Sequence, residues 1–434
     1  MKAFNLPVGE RLHFYLLIDR KENTMLATLI PLFDEEMSVR AYSLFSQKKN
    51  FLLNPSLQGT GSNDGAAEVT GLEVIENMGL ESVSTDKEVF VAVSNISLFS
   101  STLEESRLPH NRLILLTDYS VIPKDIYINR LRSLKKIGYK LAIRKLPVQS
   151  FEDYREILLL MDYILLDCRK IDISVAKVYF QKVYPDIKLC AVNIQTQEIF
   201  EELKKKGGYE LYEGEFYRMP VTKGETQVAP VKVNYIELLN MVNADDFELT
   251  KAADIIGRDT ALVISLLKMV NKMAVNSEIT SIRHAAAMLG QRELKKWINT
   301  AVAGMLYADK PGEVTRLSLL RAKFLENLAP LFSLAQKSEE LFLMGIFSVL
   351  DLILEKPMEE ALKLVKVSRE ISDALISQKG AFRPILEFAL AYELADWQEV
   401  SRLMILENID MDPVYEAYVQ SLGWYRDLFS DFSE

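Results

Sequence analysis

Residues 112–168 read RLILLTDYSVIPKDIYINRLRSLKKIGYKLAIRKLPVQSFEDYREILLLMDYILLDC, and this stretch decides the fold of the first half. Three short apolar runs, RLILLTDYS (112–120), YKLAIRKL (139–146) and DYILLDC (162–168), are separated by polar or amphipathic segments. Runs that are apolar at nearly every position fit strands buried on both faces, the state of a parallel sheet flanked by helices. In KDIYINRLRSLKKIG the residues Ile126, Ile128, Leu131, Leu134 and Ile137 approximate one helical stripe. Gly138 follows it, where a left-handed residue is often required. The alternation continues through IKLCAVNI (187–194), a helix ending at Gly207–Gly208, and YELYEGEF (209–216).

Towards the N-terminus the pattern is less regular. HFYLLID (13–19), LATLIPLFD (26–34) and FVAVSNISLF (90–99) are strand-like. SLQGTGSNDGAAE (56–68) is glycine-rich but lacks the Lys-Ser/Thr ending of a phosphate-cradling loop, so it reads as a surface loop. Towards the C-terminus, VTKGETQVAPVKV (221–233) reads as a linker, and from Tyr235 helical spacing takes over. Leu249, Ala252, Ala253 and Ile256 form one stripe, and Leu262, Leu266 and Met269 a second. Ile282, Ala285, Ala286 and Leu289 form a third, ending at Gly290 with Thr280 or Ser281 as N-cap. FLMGIFSVLDLIL, EEALKLVKV and RPILEFALAYEL continue the helical pattern. A chain of 434 residues exceeds one hydrophobic core, so two domains are expected, 1–228 and 229–434.

A net charge of −10 disfavours non-specific nucleic-acid binding. Both cysteines, Cys168 and Cys190, lie in strand-like apolar runs and read as buried reduced thiols, in keeping with a cytoplasmic protein. The N-terminal stretch lacks the layout of a signal peptide, and no apolar run is long enough to span a bilayer. The expectation is a soluble cytoplasmic chain without membrane or nucleic-acid partners.

An ordered set of motifs in the first half resembles EAL domains, the cyclic-di-GMP phosphodiesterase family. The set comprises IPLFDEEMSVRAYSLFSQ (30–47), RLILLTDYSV, LKKIGYKLAIRKL, MDYILLDC, CAVNIQTQEIFEELKKKG and YEGEFYRMP, spanning about Ala27 to Pro220. The resemblance implies a TIM-like α/β barrel of the EAL type, with function at the C-terminal ends of the strands. It also implies hydrolysis assisted by two divalent cations, which need several carboxylate ligands. At the matching positions this chain departs from the family. The signature Glu falls at Ser43, the phosphate-contacting Arg at Gln47, and the strand glutamate at Leu116. The paired aspartates fall at Arg144 and Lys145, and the catalytic lysine at Leu165. The last acidic pair falls at Val192 and Gln195, and Ile30 replaces the glutamine beside Pro31. The family's asparagine falls at Asn95, or at Ala92 in a shifted alignment, and Asp167 alone is retained. No catalytic residue, metal or cofactor is therefore expected. Arg144, Lys145, Gln47 and Asn95 are the candidates for any residual cyclic-di-GMP binding.

The stretch from about Val231 to Leu306 resembles the HDOD domain, an all-α module related to metal-dependent HD phosphohydrolases. The match rests on Ile256-Gly-Arg-Asp-Thr-Ala-Leu262 with Leu266, Leu267 and Asn271, and on Thr280-Ser281-Ile282 through Leu289-Gly290. The only histidines are His13, His110 and His284, and none precedes an Asp, so the HD metal set is absent. The resemblances imply a catalytically inactive signal-transduction protein. It would act as a regulatory adaptor through protein contacts of the helical module, with cyclic-di-GMP and a second copy of the chain as further candidate partners. A metal-independent cyclic-di-GMP receptor is the alternative, and an active phosphodiesterase the next.

Overall fold

The computed structural model describes residues 25–48, 69–218, 230–244, 246–257, 259–273, 279–306 and 312–430. The strand-like run 13–19, the glycine-rich stretch 56–68, residues 221–229 of the expected linker, Pro220 and Asp245 lie outside the described residues.

Eight strands close into a barrel in chain order: β1 (Met25–Phe33), β2 (Val39–Lys48), β3 (Glu88–Ala92), β4 (Leu113–Asp118), β5 (Lys140–Arg144), β6 (Tyr163–Asp167), β7 (Lys188–Ile194) and β8 (Leu211–Gly214). From β2 onward neighbours are parallel, whereas β1 runs antiparallel to both β2 and β8. The reversal is local chemistry. The Asp34 carboxylate accepts from the amides of Glu36 (3.0 Å) and Ser38 (2.8 Å) and from Arg40 Nε (2.8 Å), and Met37 takes a left-handed φ of 63°. These contacts make IPLFDEEMSVRAYSLF a tight hairpin, with no room for a crossover helix.

Among the described residues of this half, the helices of eight residues or more are α1 (Thr70–Met78), α2 (Asp125–Ile137), α3 (Ile173–Val183) and α4 (Gln197–Lys206). α2 ends at Gly138 in the left-handed region (φ 113°), as its sequence predicts. Only Ile128, Leu131 and Leu134 of its expected stripe are buried. Ile126 and Ile137 face solvent, a correction to the sequence reading. α3 starts at an Asp172 cap that accepts from Ser174 N (3.0 Å) and Val175 N (3.3 Å). A second correction concerns FVAVSNISLF, where the strand stops at Ala92. Ser94 and Ser97 bond each other's backbone and side chains and turn the chain away from the sheet.

The second half is helical: α5 (Pro230–Val242), α6 (Leu249–Ile256), α7 (Thr260–Met273), α8 (Ile282–Leu306), α9 (Gly312–Leu328), α10 (Ser338–Phe347), α11 (Arg383–Glu393), α12 (Trp397–Glu407) and α13 (Met411–Ser430). Residues 230–233, expected in the linker, already belong to α5, whose first residue is a proline with φ preset for a helix. Ser281 is the cap of α8, accepting from His284 N at 3.4 Å, and Gly290 interrupts that helix with φ 74° and ψ 173°. At the packing centre α10 lies so close to α9 that a Cβ on Gly345 would collide with the Ala322 backbone. No helix among the described residues is long and apolar enough to cross a membrane.

Candidate functional site at the barrel mouth

The barrel interior is filled before it reaches the mouth. Leu32, Ala41, Phe90, Ile114, Leu116, Ala142, Tyr163, Leu165, Cys190, Val192 and Leu211 form one buried apolar cluster. Three of the positions where the EAL resemblance implies polar ligands, Leu116, Leu165 and Val192, belong to this plug. Ser43 is buried opposite Ile30 on β1. Gln47 follows two alternations further along β2, opposite Leu26. Ala92 pairs with Leu116 and so occupies the β3 tip, whereas Asn95 lies three residues on, in the turn.

Above the plug the strand tips carry charge. Arg144 ends β5, level with Asp118 of β4 and Leu165 of β6. Its guanidinium lies 5.6 Å from the Phe45 ring centroid, and its Nε is buried with no hydrogen-bond partner among the described residues. Burial pulls its pKa down, against the opposing pull of Asp118 and Glu213. Lys145 follows with a left-handed φ of 58°. Its ammonium is also pulled down, by burial and then by Arg144. Asp167, at the β6 tip, accepts from the Arg169 amide (3.0 Å) and Arg169 Nε (3.4 Å). Gln195 lies just past β7, beside the left-handed Asn193 (φ 62°), on a cavity of about 110 Å³ that it shares with Ile30, Glu213, Arg218 and Glu393.

Two acidic residues that the sequence reading passed over belong here. Glu213, near the β8 tip, is partly buried and has no ion-pair partner within 4 Å among the described residues. Burial pushes its carboxyl up to about 7, against the Asn193 amide and Arg144. Asp118 stands two residues beyond Leu116, on the same face of β4. Period-2 alternation from Leu116 was a signal for Asp118. For Glu213 the signal was its place in YEGEFYRMP, the last of the motifs that carry the EAL resemblance. Gly214 itself is required, since a Cβ there would collide with the Ile194 backbone.

The donor set does not fit a pair of divalent cations. Among the described residues no three His, Cys, Asp or Glu side chains converge to hold a metal. The carboxylates Asp118, Asp167 and Glu213 share the mouth with Arg144, Lys145, Arg169 and Lys170. At about 5 Å and an effective dielectric near 20, one guanidinium repels a doubly charged ion by roughly 7 kcal/mol, which cancels the attraction of one carboxylate at the same distance.

Among the described residues the second half offers no metal set either. His284 is exposed, and His110, in the first half, stacks on Tyr139 (4.4 Å) with Nε2 3.1 Å from Ser106 O. Lys296 is tied to both Glu326 oxygens (2.7 and 2.9 Å) and lies 5.1 Å from the Phe342 ring centroid. Cys168 and Cys190 are both free thiols pushed up by burial, Cys168 to about 11; Cys190 is buried as expected, whereas Cys168 is only partly buried, a correction to the sequence reading.

Fold and site together define a class: an eight-stranded α/β barrel with a mixed-charge mouth, followed by a helical array. Residues 229–388 match the HDOD domain model, so the C-terminal half contains an HDOD domain. Across nearly its full length the chain is similar to the uncharacterized protein YuxH of Bacillus subtilis (26% identity, 92% of this chain and 97% of YuxH). It is also similar to the cyclic di-GMP phosphodiesterase CdgJ of Vibrio cholerae, at 27% identity over 56% of this chain and 56% of CdgJ. Among solved structures, the PaMucR phosphodiesterase in complex with c-di-GMP matches 44% of this chain and 94% of its own, at 14% identity and a TM-score of 0.37.

Proposed function

We propose that this chain is a catalytically inactive signal-transduction protein, a regulatory adaptor whose barrel no longer hydrolyses cyclic-di-GMP and whose helical half makes protein contacts. The observation that carries the reading is Arg144, a half-buried cation at the strand tips where a phosphodiesterase would hold its metals. Its charge already serves Asp118 and Glu213, and it opposes any entering cation. Similarity to a named phosphodiesterase supports descent from that chemistry. The apolar side chains Leu116, Leu165 and Val192 speak against its retention.

A second reading has its own observation. The Arg144 guanidinium, with Lys145 and Lys170 close by, puts positive charge at the strand tips that could attract a phosphate without any metal. Under that reading the chain is a metal-independent cyclic-di-GMP receptor. Calorimetric titration with the nucleotide, with and without chelator, separates the two. The adaptor reading expects no heat of binding. The receptor reading expects chelator-insensitive binding that weakens at least tenfold in Arg144→Met. Metal-dependent turnover in the same samples would defeat both.

A further inference from the structure

Seven of the barrel's seams are stitched by ladders of three or more residue pairs, but β1 and β8 share a single pair, Phe33 with Tyr212. Among the described residues, 25–32 of β1 therefore have β2 on one side and no strand on the other. An open edge of that kind leaves outward amides without partners and invites pairing with another chain. The hairpin that reverses β1 also denies it a crossover helix.

Here the edge is occupied by the helical half. The Ala27 amide donates to the Tyr392 hydroxyl (3.2 Å), and Thr28 Oγ1 lies 3.3 Å from the Tyr418 hydroxyl, which the Leu29 backbone also meets. Tyr392 of α11 and Tyr418 of α13 have ring centroids 5.0 Å apart, and both rings pack on Phe324 of α9. Across the seam, just past β8, Arg218 reaches Glu393 (3.4 Å), whose carboxylate also accepts Arg321 Nε (2.8 Å) and Nη2 (2.6 Å). Towards the other end of the barrel, the Tyr42 hydroxyl donates to Glu313 (3.0 Å), and Arg316 stacks 4.7 Å from the Tyr42 ring centroid. Every residue of β1 except Ile30 is buried.

We propose that the helical half is the missing wall of the barrel: Tyr392 and Tyr418 stand in for a neighbouring strand along β1, and Glu393 latches the end of β8. The two halves then form one cooperative unit, and the seam beside the mouth opens only when they part. The small cavity that holds Glu213 also touches Glu393 and Leu394, so the latch adjoins the mouth directly. This inference goes beyond the adaptor reading and holds whether or not the mouth binds or hydrolyses a nucleotide.

The test is amide hydrogen exchange on the full chain, wild type against Tyr392→Phe, Tyr418→Phe and the double variant. Each substitution keeps the ring and removes one hydroxyl. Exchange of the 25–33 segment is expected to rise at least tenfold in Tyr392→Phe and further in the double variant, with the 163–167 segment of β6 unchanged. Wild-type exchange of 25–33 in Tyr392→Phe would overturn the proposal. If the double variant does not fold, the single variants decide by the same criterion. Calorimetry of the wild-type chain supplies a second reading: one heat-absorption peak supports a single unit, and two separated peaks overturn it.

Discussion

Glu393→Ala is the most informative perturbation of the fold. Glu393 bridges Arg321 and Arg218, and their side chains are only 11%, 5% and 15% exposed. Truncating it removes three hydrogen bonds and leaves two guanidinium groups buried without their anion. Breaking a buried pair from one side costs roughly 3–5 kcal/mol, most of it the penalty on the charge left behind. The unfolding entropy of about 2.1 cal/mol/K per residue converts that loss into temperature. If all 434 residues unfold together, 4 kcal/mol lowers Tm by about 4 °C. If the helical half unfolds alone, the same loss lowers its Tm by about 9 °C. Differential scanning calorimetry reads both the shift and the number of transitions. A shift under about 1 °C, with unchanged enthalpy, would show that solvent already reaches these groups and would refute the reasoning.

Three further outcomes are expected. Because burial raises the Glu213 carboxyl from 4.5 to about 7, its ionisation opposes folding. The penalty is absent below about pH 4.5, grows up to pH 7 and is complete above it, reaching on the order of 1–3 kcal/mol. Urea midpoints of Glu213→Gln should therefore exceed wild type at pH 8 and converge with it near pH 4.5, and parallel curves would contradict this. Gly345→Ala, which forces α9 and α10 apart, should cost about 3 kcal/mol or prevent folding; a circular-dichroism melt within 1 °C of wild type would show that the helices can yield. Both thiols should react slowly with a disulfide reagent at pH 8 in the folded protein and at once in urea, since burial holds them protonated. Immediate reaction of Cys190 in the native state would count against its burial.

The strands after β2 were legible because runs such as DYILLDC and IKLCAVNI are apolar at consecutive positions, which only a strand covered on both sides tolerates. The same property hid the direction of β1, since a doubly buried strand carries no alternation to reveal its neighbours. FVAVSNISLF was read too long because hydroxyl side chains that end a strand look, as a string, like polar residues within one. In the helical half the Ser281 cap and the Gly290 break were readable from local chemistry. At the mouth, the apolar residues Leu116, Leu165 and Val192 were visible, but the carboxylates at 118 and 213 were not, because neither falls at a position where the EAL resemblance implies a ligand. The contacts that close the seam lay beyond sequence reasoning, since Ala27 and Tyr392 are 365 residues apart and neither is unusual alone.

The proposed loss of catalysis is tested most directly by a time course of cyclic-di-GMP incubated with the purified full-length protein and millimolar Mn²⁺ or Mg²⁺, followed by chromatography. The account expects the nucleotide to remain intact at every point, as in the buffer control. Steady conversion to a linear product, stopped by chelator and by Asp167→Ala, would contradict it.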